Sequence, residues 1–143
     1  MRPPFKFSAT TRVGFSDTDA QGIVYYGRYL PYMDQARVEY HRMLGLLGMD
    51  IGEPGVEFVM RACTIEYHAP AVFDDEIEVF VRVQRVGTTS ATYAFAAHRL
   101  RDEQLLVTAT QTLVLVDLDE RRPVEIPNEF RGTIRSYERT DVE

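Results

Sequence analysis

The sequence predicts an α+β fold, an antiparallel curved sheet of about five strands wrapped around one long helix. Sustained helical periodicity occurs in a single stretch, roughly residues 28 to 47. From residue 56 onward, segment after segment alternates apolar and polar side chains with the two-residue period of a half-buried strand. No second helical pattern separates those segments, and parallel neighbours need a crossover of about a dozen residues between them. One strand, one helix and then four strands therefore read as an antiparallel sheet curled over a single helix.

Each element has its own signal. Residues 1–7 are a lead-in stiffened by Pro3 and Pro4, and Phe7 to Phe15 is the first strand, with Phe7, Ala9, Val13 and Phe15 at even spacings. The helix runs from Arg28 or Tyr29 to Leu47 on the stripe Leu30, Met33, Arg37, Tyr40, Leu44 and Leu47. Arg37 fits that stripe poorly, and Ala36 is the alternative on the buried side. Pro31 is tolerated because it falls in the first turn, where no N–H bond is lost. A Gly/Pro loop covers residues 48–56, and Val56–Tyr67 alternates around Val59, Cys63 and Ile65. Pro70 breaks that strand, because proline cannot sit in a central ladder. Ile77–Val86 follows, then Ser90–Leu100, a polar hairpin at Arg101–Gln104, and Leu105–Leu118. Residues 124–130 form a short final helix, residues 131–143 are a loose tail, and the whole chain 1–143 is one domain.

Composition narrows the class. With 143 residues, 45% hydrophobic and 27% charged, the chain has enough apolar material for one core and is not of disordered type. A net charge of −6 argues against nucleic acid as a partner, since phosphate binding needs a basic surface. One cysteine, Cys63, excludes an internal disulfide and reads as a packed core residue. The opening Met-Arg-Pro-Pro-Phe-Lys-Phe has no apolar run of the signal-peptide kind, and no segment is long and apolar enough to span a membrane. The expected location is cytoplasmic. His41, His68 and His98 show no metal-ligand spacing, and no Gly-x-Ser-x-Gly elbow occurs, so neither a metal site nor a serine nucleophile is expected.

The chemistry concentrates between the first strand and the helix. Phe15-Ser-Asp-Thr-Asp-Ala-Gln-Gly-Ile-Val-Tyr-Tyr-Gly-Arg-Tyr29 places two carboxylates one residue apart, turns at Gly22 and feeds the helix. Asp17 and Asp19 have an ordinary reading as turn and cap residues. They also have a chemical one, since a carboxylate beside the unpaired N–H groups of a helix start can act on a carbonyl held there. Asp17-Thr-Asp19-Ala-Gln-Gly22-Ile-Val-Tyr-Tyr26-Gly-Arg-Tyr29 resembles the signature of the 4-hydroxybenzoyl-CoA thioesterase-like branch of the hotdog-fold acyl-CoA thioesterases.

That resemblance implies a hotdog fold over nearly the whole chain and hydrolysis of a thioester without cofactor or metal. By it, Asp19 is nucleophile or general base, the amide of Tyr26 polarises the carbonyl, and Asp17 braces the turn. Gly22, Ile23, Val24, Tyr29 and Asp34 fall at substrate-facing positions, although Asp34 also reads as a solvated helix charge. Arg85, Gly87, Thr88 and Ser90 form the turn that in such enzymes runs along CoA. Tyr26 stands where the short-chain and Tol-Pal-associated subgroup often carries His, so the acyl group stays open. The expected partners are an acyl-CoA, or an acyl-carrier-protein thioester, and a second copy of the chain, as homodimer or homotetramer. The alternatives are a non-catalytic acyl-CoA or acyl-carrier binding module and, last, a dehydratase, which needs a histidine that this loop lacks.

Overall fold

A computed structural model of the chain describes residues 2–47, 55–139 and 142; most of the loop expected at 48–56 lies outside them. The elements are β1 (Ser8–Arg12), α1 (Tyr29–Met43), β2 (Val56–Tyr67), β3 (Glu76–Val86), β4 (Ser90–Arg99), β5 (Leu105–Asp117), β6 (Arg122–Pro123) and α2 (Asn128–Glu138). The sheet is antiparallel in the order β1-β3-β4-β5-β2, and the two-residue β6 adds to β5. Tight turns close its central hairpins, with Gly87 N–H donating to Ser90 O at 2.7 Å and Arg99 N–H to Gln104 O at 2.9 Å. The expected curved sheet around one long helix is therefore the observed architecture.

Helix α1 lies on one face of the sheet. Its buried side chains are Tyr29, Tyr32, Met33, Ala36 and Tyr40, packed with Ile77, Val79, Val81, Val83, Tyr93, Phe95 and Leu115. Leu30 and Leu47, assigned to the buried stripe from sequence, are 37% and 45% exposed, and Ala36 takes the place of Arg37. The helix also stops four residues before Leu47. Gly45 at φ +73° turns the chain, its N–H meets Arg42 O, and Leu46 N–H reaches back to His41 O at 2.8 Å. That glycine-dependent cap satisfies the last carbonyls and swings Leu46 into the core.

Other boundaries moved for physical reasons. The first strand ends at Arg12, because Phe15–Asp17 forms a 3-10 turn that leaves Phe15 72% exposed. Cys63 is exposed rather than packed, because β2 is an edge strand whose only ladder partner among the described residues is β5. Residues 124–126 are extended, not helical: Val124 N–H donates to Leu115 O and Ile126 N–H to Thr88 O. Helix α2 starts after Pro127 and takes in residues 131–138 of the expected tail. Its buried residues Phe130, Ile134 and Glu138 recur every four positions, which is why this stretch folds onto the core.

Glu138 is fully buried, accepting from the Tyr40 hydroxyl at 2.5 Å, while its Oε1 has no hydrogen-bond partner among the described residues. Burial pushes this carboxyl up, against the opposing pull of Tyr40, the Val83 N–H, Lys6 and Arg82. The native state thus holds the Glu138 proton more tightly than the unfolded chain does. The stability this confers is present at low pH and is lost as pH rises through the ordinary carboxyl range to the raised native value. Glu138→Gln keeps an acceptor for Tyr40 and removes the ionisation. Thermal unfolding at about pH 4 and about pH 8 should show the variant losing less stability than wild type on going to the higher pH.

Candidate active site

The segment between β1 and α1 folds as a small hairpin. Thr18 bridges Val24, Asp19 N–H donates to Ile23 O at 2.9 Å, and Gly22 N–H donates to Asp19 O at 3.0 Å. The three residues at its tip end in Gly22 at φ +80°, the left-handed position that such a loop requires. A Cβ there would meet nothing within 4 Å, so backbone conformation alone selects glycine. The hairpin is stitched to the connector between β2 and β3 through Val24 N–H to Ala71 O at 2.9 Å and a bridge from Ile23 to Val72.

Asp17 holds this segment to the helix. Its Oδ2 accepts from Gly14 N–H at 2.9 Å and from the buried Tyr32 hydroxyl at 2.8 Å. Its Oδ1 takes Nε of Arg28 at 2.9 Å, and its backbone carbonyl accepts Tyr25 N–H at 2.9 Å. Burial by itself raises this carboxyl, but the Gly14 N–H, the Tyr32 hydroxyl and the Arg28 guanidinium outweigh it and hold Asp17 below the usual carboxylate range. Burial first and the Asp17 carboxylate second push the Tyr32 hydroxyl up.

Asp19 is placed differently. Its Oδ1 accepts Gln21 N–H at 2.8 Å, which fixes the side chain, and its other oxygen has no protein partner among the described residues. The next turn, Tyr26–Arg28, is a 3-10 turn running directly into α1, so Tyr26 sits at the helix approach. Arg28 N–H caps Tyr25 O at 2.9 Å, whereas no group among the described residues accepts from Tyr26 N–H. Asp19, Ile23, Val24, Tyr26 and Tyr29 line one cavity of about 420 Å³, joined by Gln21 and by Tyr67, His68, Ala69 and Pro70. Tyr29 is buried in its wall with its hydroxyl pushed up to about 12, chiefly by burial.

Sequence reasoning missed Gln21, Tyr67, His68, Ala69 and Pro70 as cavity residues. The available signal was the Pro70 break, which ends β2 where the connector meets the hairpin. Gly22 shapes the loop without lining the cavity. Asp34 is not brought to it either; it lies exposed on α1 and pairs with Arg37 at 3.0 Å. Arg85, Gly87, Thr88 and Ser90 sit at the β3–β4 turn. Ser90 is in register with Val114, and Val114 with Val59, eight residues along β2 from Tyr67. At about 3.3 Å per residue, that turn is roughly 26 Å along the sheet from the Tyr67 end.

This combination of a sheet curled on one helix and a carboxylate hairpin at the helix approach is that of a hotdog thioesterase-like domain. The match is explicit, since residues 13–134 fit the family model described as thioesterase-like superfamily, and the chain belongs to that superfamily. It is 36% identical over 127 residues to acyl-CoA thioesterase YbgC of Haemophilus influenzae, covering 88% of this chain and 92% of that protein. The acyl-CoA thioester hydrolase YbgC of Escherichia coli O157:H7 is 32% identical over 122 residues, covering 85% and 90%. Among solved structures, a thioesterase superfamily protein from Jannaschia superposes with a TM-score of 0.84 at 25% identity, over 96% of this chain and 86% of that one. Slr0204, a 1,4-dihydroxy-2-naphthoyl-CoA thioesterase from Synechocystis, shares the fold with a TM-score of 0.82 at 22% identity, covering 90% and 94%.

Replacing Asp17 by Ala leaves the Gly14 N–H, the Tyr32 hydroxyl and Arg28 without their acceptor, at an expected cost on the order of 3 kcal/mol. Because the native carboxyl is held below its unfolded value, the Asp17 contribution is complete above the ordinary carboxyl range and is lost as pH falls through the native value. Denaturant unfolding of wild type and Asp17→Ala should show the gap closing as the solution is acidified.

Proposed function

We propose that the chain is an acyl-CoA thioesterase, hydrolysing a thioester to a free acid and CoA. Asp19 acts as nucleophile or general base, and the N–H of Tyr26 receives the thioester oxygen. The observation that carries this reading is one cavity lined by both residues, with a carboxylate oxygen and a backbone donor unpaired among the described residues. The N–H belongs to a fixed turn, so it meets the oxyanion without reorganisation, the condition under which such donors accelerate acyl transfer most. In the nucleophilic route Asp19 displaces the thiolate and water then cleaves the anhydride; in the general-base route Asp19 takes a proton from the attacking water. The names of the relatives, acyl-CoA thioesterase and acyl-CoA thioester hydrolase, support the substrate class.

The working unit in this reading is a homodimer paired through β2. That strand is twelve residues long with Val59, Met60 and Tyr67 exposed, an edge that soluble proteins cover or blunt. Antiparallel pairing of two such edges about a two-fold axis sets the Val59 end of one beside the Tyr67 end of the other. The partner's β3–β4 turn then approaches the cavity from which this protomer's own turn is remote. Arg85, Gly87, Thr88 and Ser90 serve CoA in that arrangement across the interface.

Thiol release from a panel of acyl-CoAs tests the reaction. Asp19→Asn should lower kcat about a thousandfold while a non-hydrolysable acyl-CoA thioether binds with near wild-type affinity. Binding without turnover by wild type would point instead to a non-catalytic acyl-CoA module.

Mixing tests the shared site. Asp19→Asn and Arg85→Glu homodimers should each be weak at subsaturating substrate, and their equimolar reassociated mixture should recover roughly a quarter of wild-type rate. Half of the dimers are then mixed, and each mixed dimer has one intact site. A mixture that stays at the mean of its parents would place the turn in the site of its own protomer.

A further inference from the structure

Tyr67 is the last residue of β2, and its hydroxyl donates to the backbone carbonyl of Tyr26 at 3.0 Å. Its ring meets Tyr26 edge-on at 6.4 Å between centroids and Tyr29 at 5.9 Å. The segment it grips is a three-residue 3-10 turn, and Tyr26 there is 62% exposed. So short a turn has little internal hydrogen bonding to hold it. The peptide plane on the N-terminal side of Tyr26 is pinned at its carbonyl, Tyr25 O, by Arg28 N–H at 2.9 Å. The plane on the C-terminal side is held at Tyr26 O by the Tyr67 hydroxyl, a tie that comes from outside the turn. Because each peptide unit is planar, the Arg28 bond at Tyr25 O sets the direction of the Tyr26 N–H, and the Tyr67 bond holds the next plane, so that the turn is kept from rotating about Tyr26.

We infer that Tyr67 is a positioning residue for the proposed thioester hydrolysis, its hydroxyl locking the turn that presents the Tyr26 N–H to the substrate carbonyl. The inference rests on the thioesterase reading above. Its geometry adds an electronic consequence: a hydrogen bond received at Tyr26 O polarises the same peptide unit and strengthens the Gly27 N–H as a donor. The anchor comes from the sheet's edge strand rather than from the helix, so the donor's aim depends on where β2 ends.

Tyr67→Phe keeps the ring contacts and removes the hydroxyl alone. It should lower kcat about tenfold, less than the loss of a whole oxyanion donor, with KM within about twofold of wild type. Independently of turnover, the Gly27 amide proton should shift upfield in NMR spectra, because its peptide has lost the bond at the carbonyl. A variant with wild-type kcat, a variant changed in KM only, or an unmoved Gly27 resonance overturns the inference. Assaying wild type and Asp19→Asn alongside separates the two failures. Asp19-dependent hydrolysis with an indifferent Tyr67→Phe defeats the positioning role alone, whereas wild type that cleaves no acyl-CoA defeats the thioesterase reading and the inference together.

Discussion

The structure around the cavity depends on the buried carboxylate of Asp17. Three segments meet on it: the end of the first strand through Gly14, the turn before the helix through Arg28, and the helix itself through Tyr32. A carboxylate out of water must be surrounded by donors to stay ionised, and these three supply them. The outcome is a fixed angle between hairpin and helix. Asp19, two residues on, inherits its position from that angle, while one of its carboxylate oxygens has no protein partner among the described residues. In the proposed mechanism one carboxylate serves the structure and its neighbour the chemistry.

A second constraint is the sheet order. Placing β2 outside β5 rather than beside β1 leaves its outer side as a long, open edge. The same order brings the end of β2, with Tyr67 and His68, to the hairpin that carries Asp19. Edge and cavity are therefore contiguous. The β3–β4 turn sits at the opposite end of the sheet, and in the proposed dimer a two-fold operation through the edge strand would bring the two positions together.

The fold was legible because its signals are periodic. Strands β2 to β5 were read to within a residue or so, since β-branched alternation bounded by Gly, Pro and polar turns has few other solutions. Helix α1 was read four residues too long, because Leu44 and Leu47 continue the period while Gly45 supplies a cap that periodicity does not express. Helix α2 was read in the wrong place, because the apolar Val124 and Ile126 look helical until their N–H groups find Leu115 and Thr88. The division of labour between Asp17 and Asp19 came from the resemblance of the motif, and the structure bears on the bracing half of it, the contacts of Asp17. Tyr67 was illegible for a different reason: its partner is a backbone carbonyl forty-one residues away, and no side-chain pattern encodes that contact.

The tyrosines at the helix approach show what burial decides and sequence does not. Tyr29 and Tyr32 are 3% and 5% exposed and belong to the core, whereas Tyr26 and Tyr67 keep 62% and 49% of their surface open. Rings this exposed gain little from packing in a lone protomer, yet both line the cavity. In the proposed dimer Tyr67 lies on the joining strand itself, so pairing at β2 covers it and walls the cavity on its open side. Catalysis by one carboxylate and one amide gains most from such closure, because each acts more strongly once water is excluded. Assembly and chemistry are then coupled through the same few residues, and the position of the edge strand sets both.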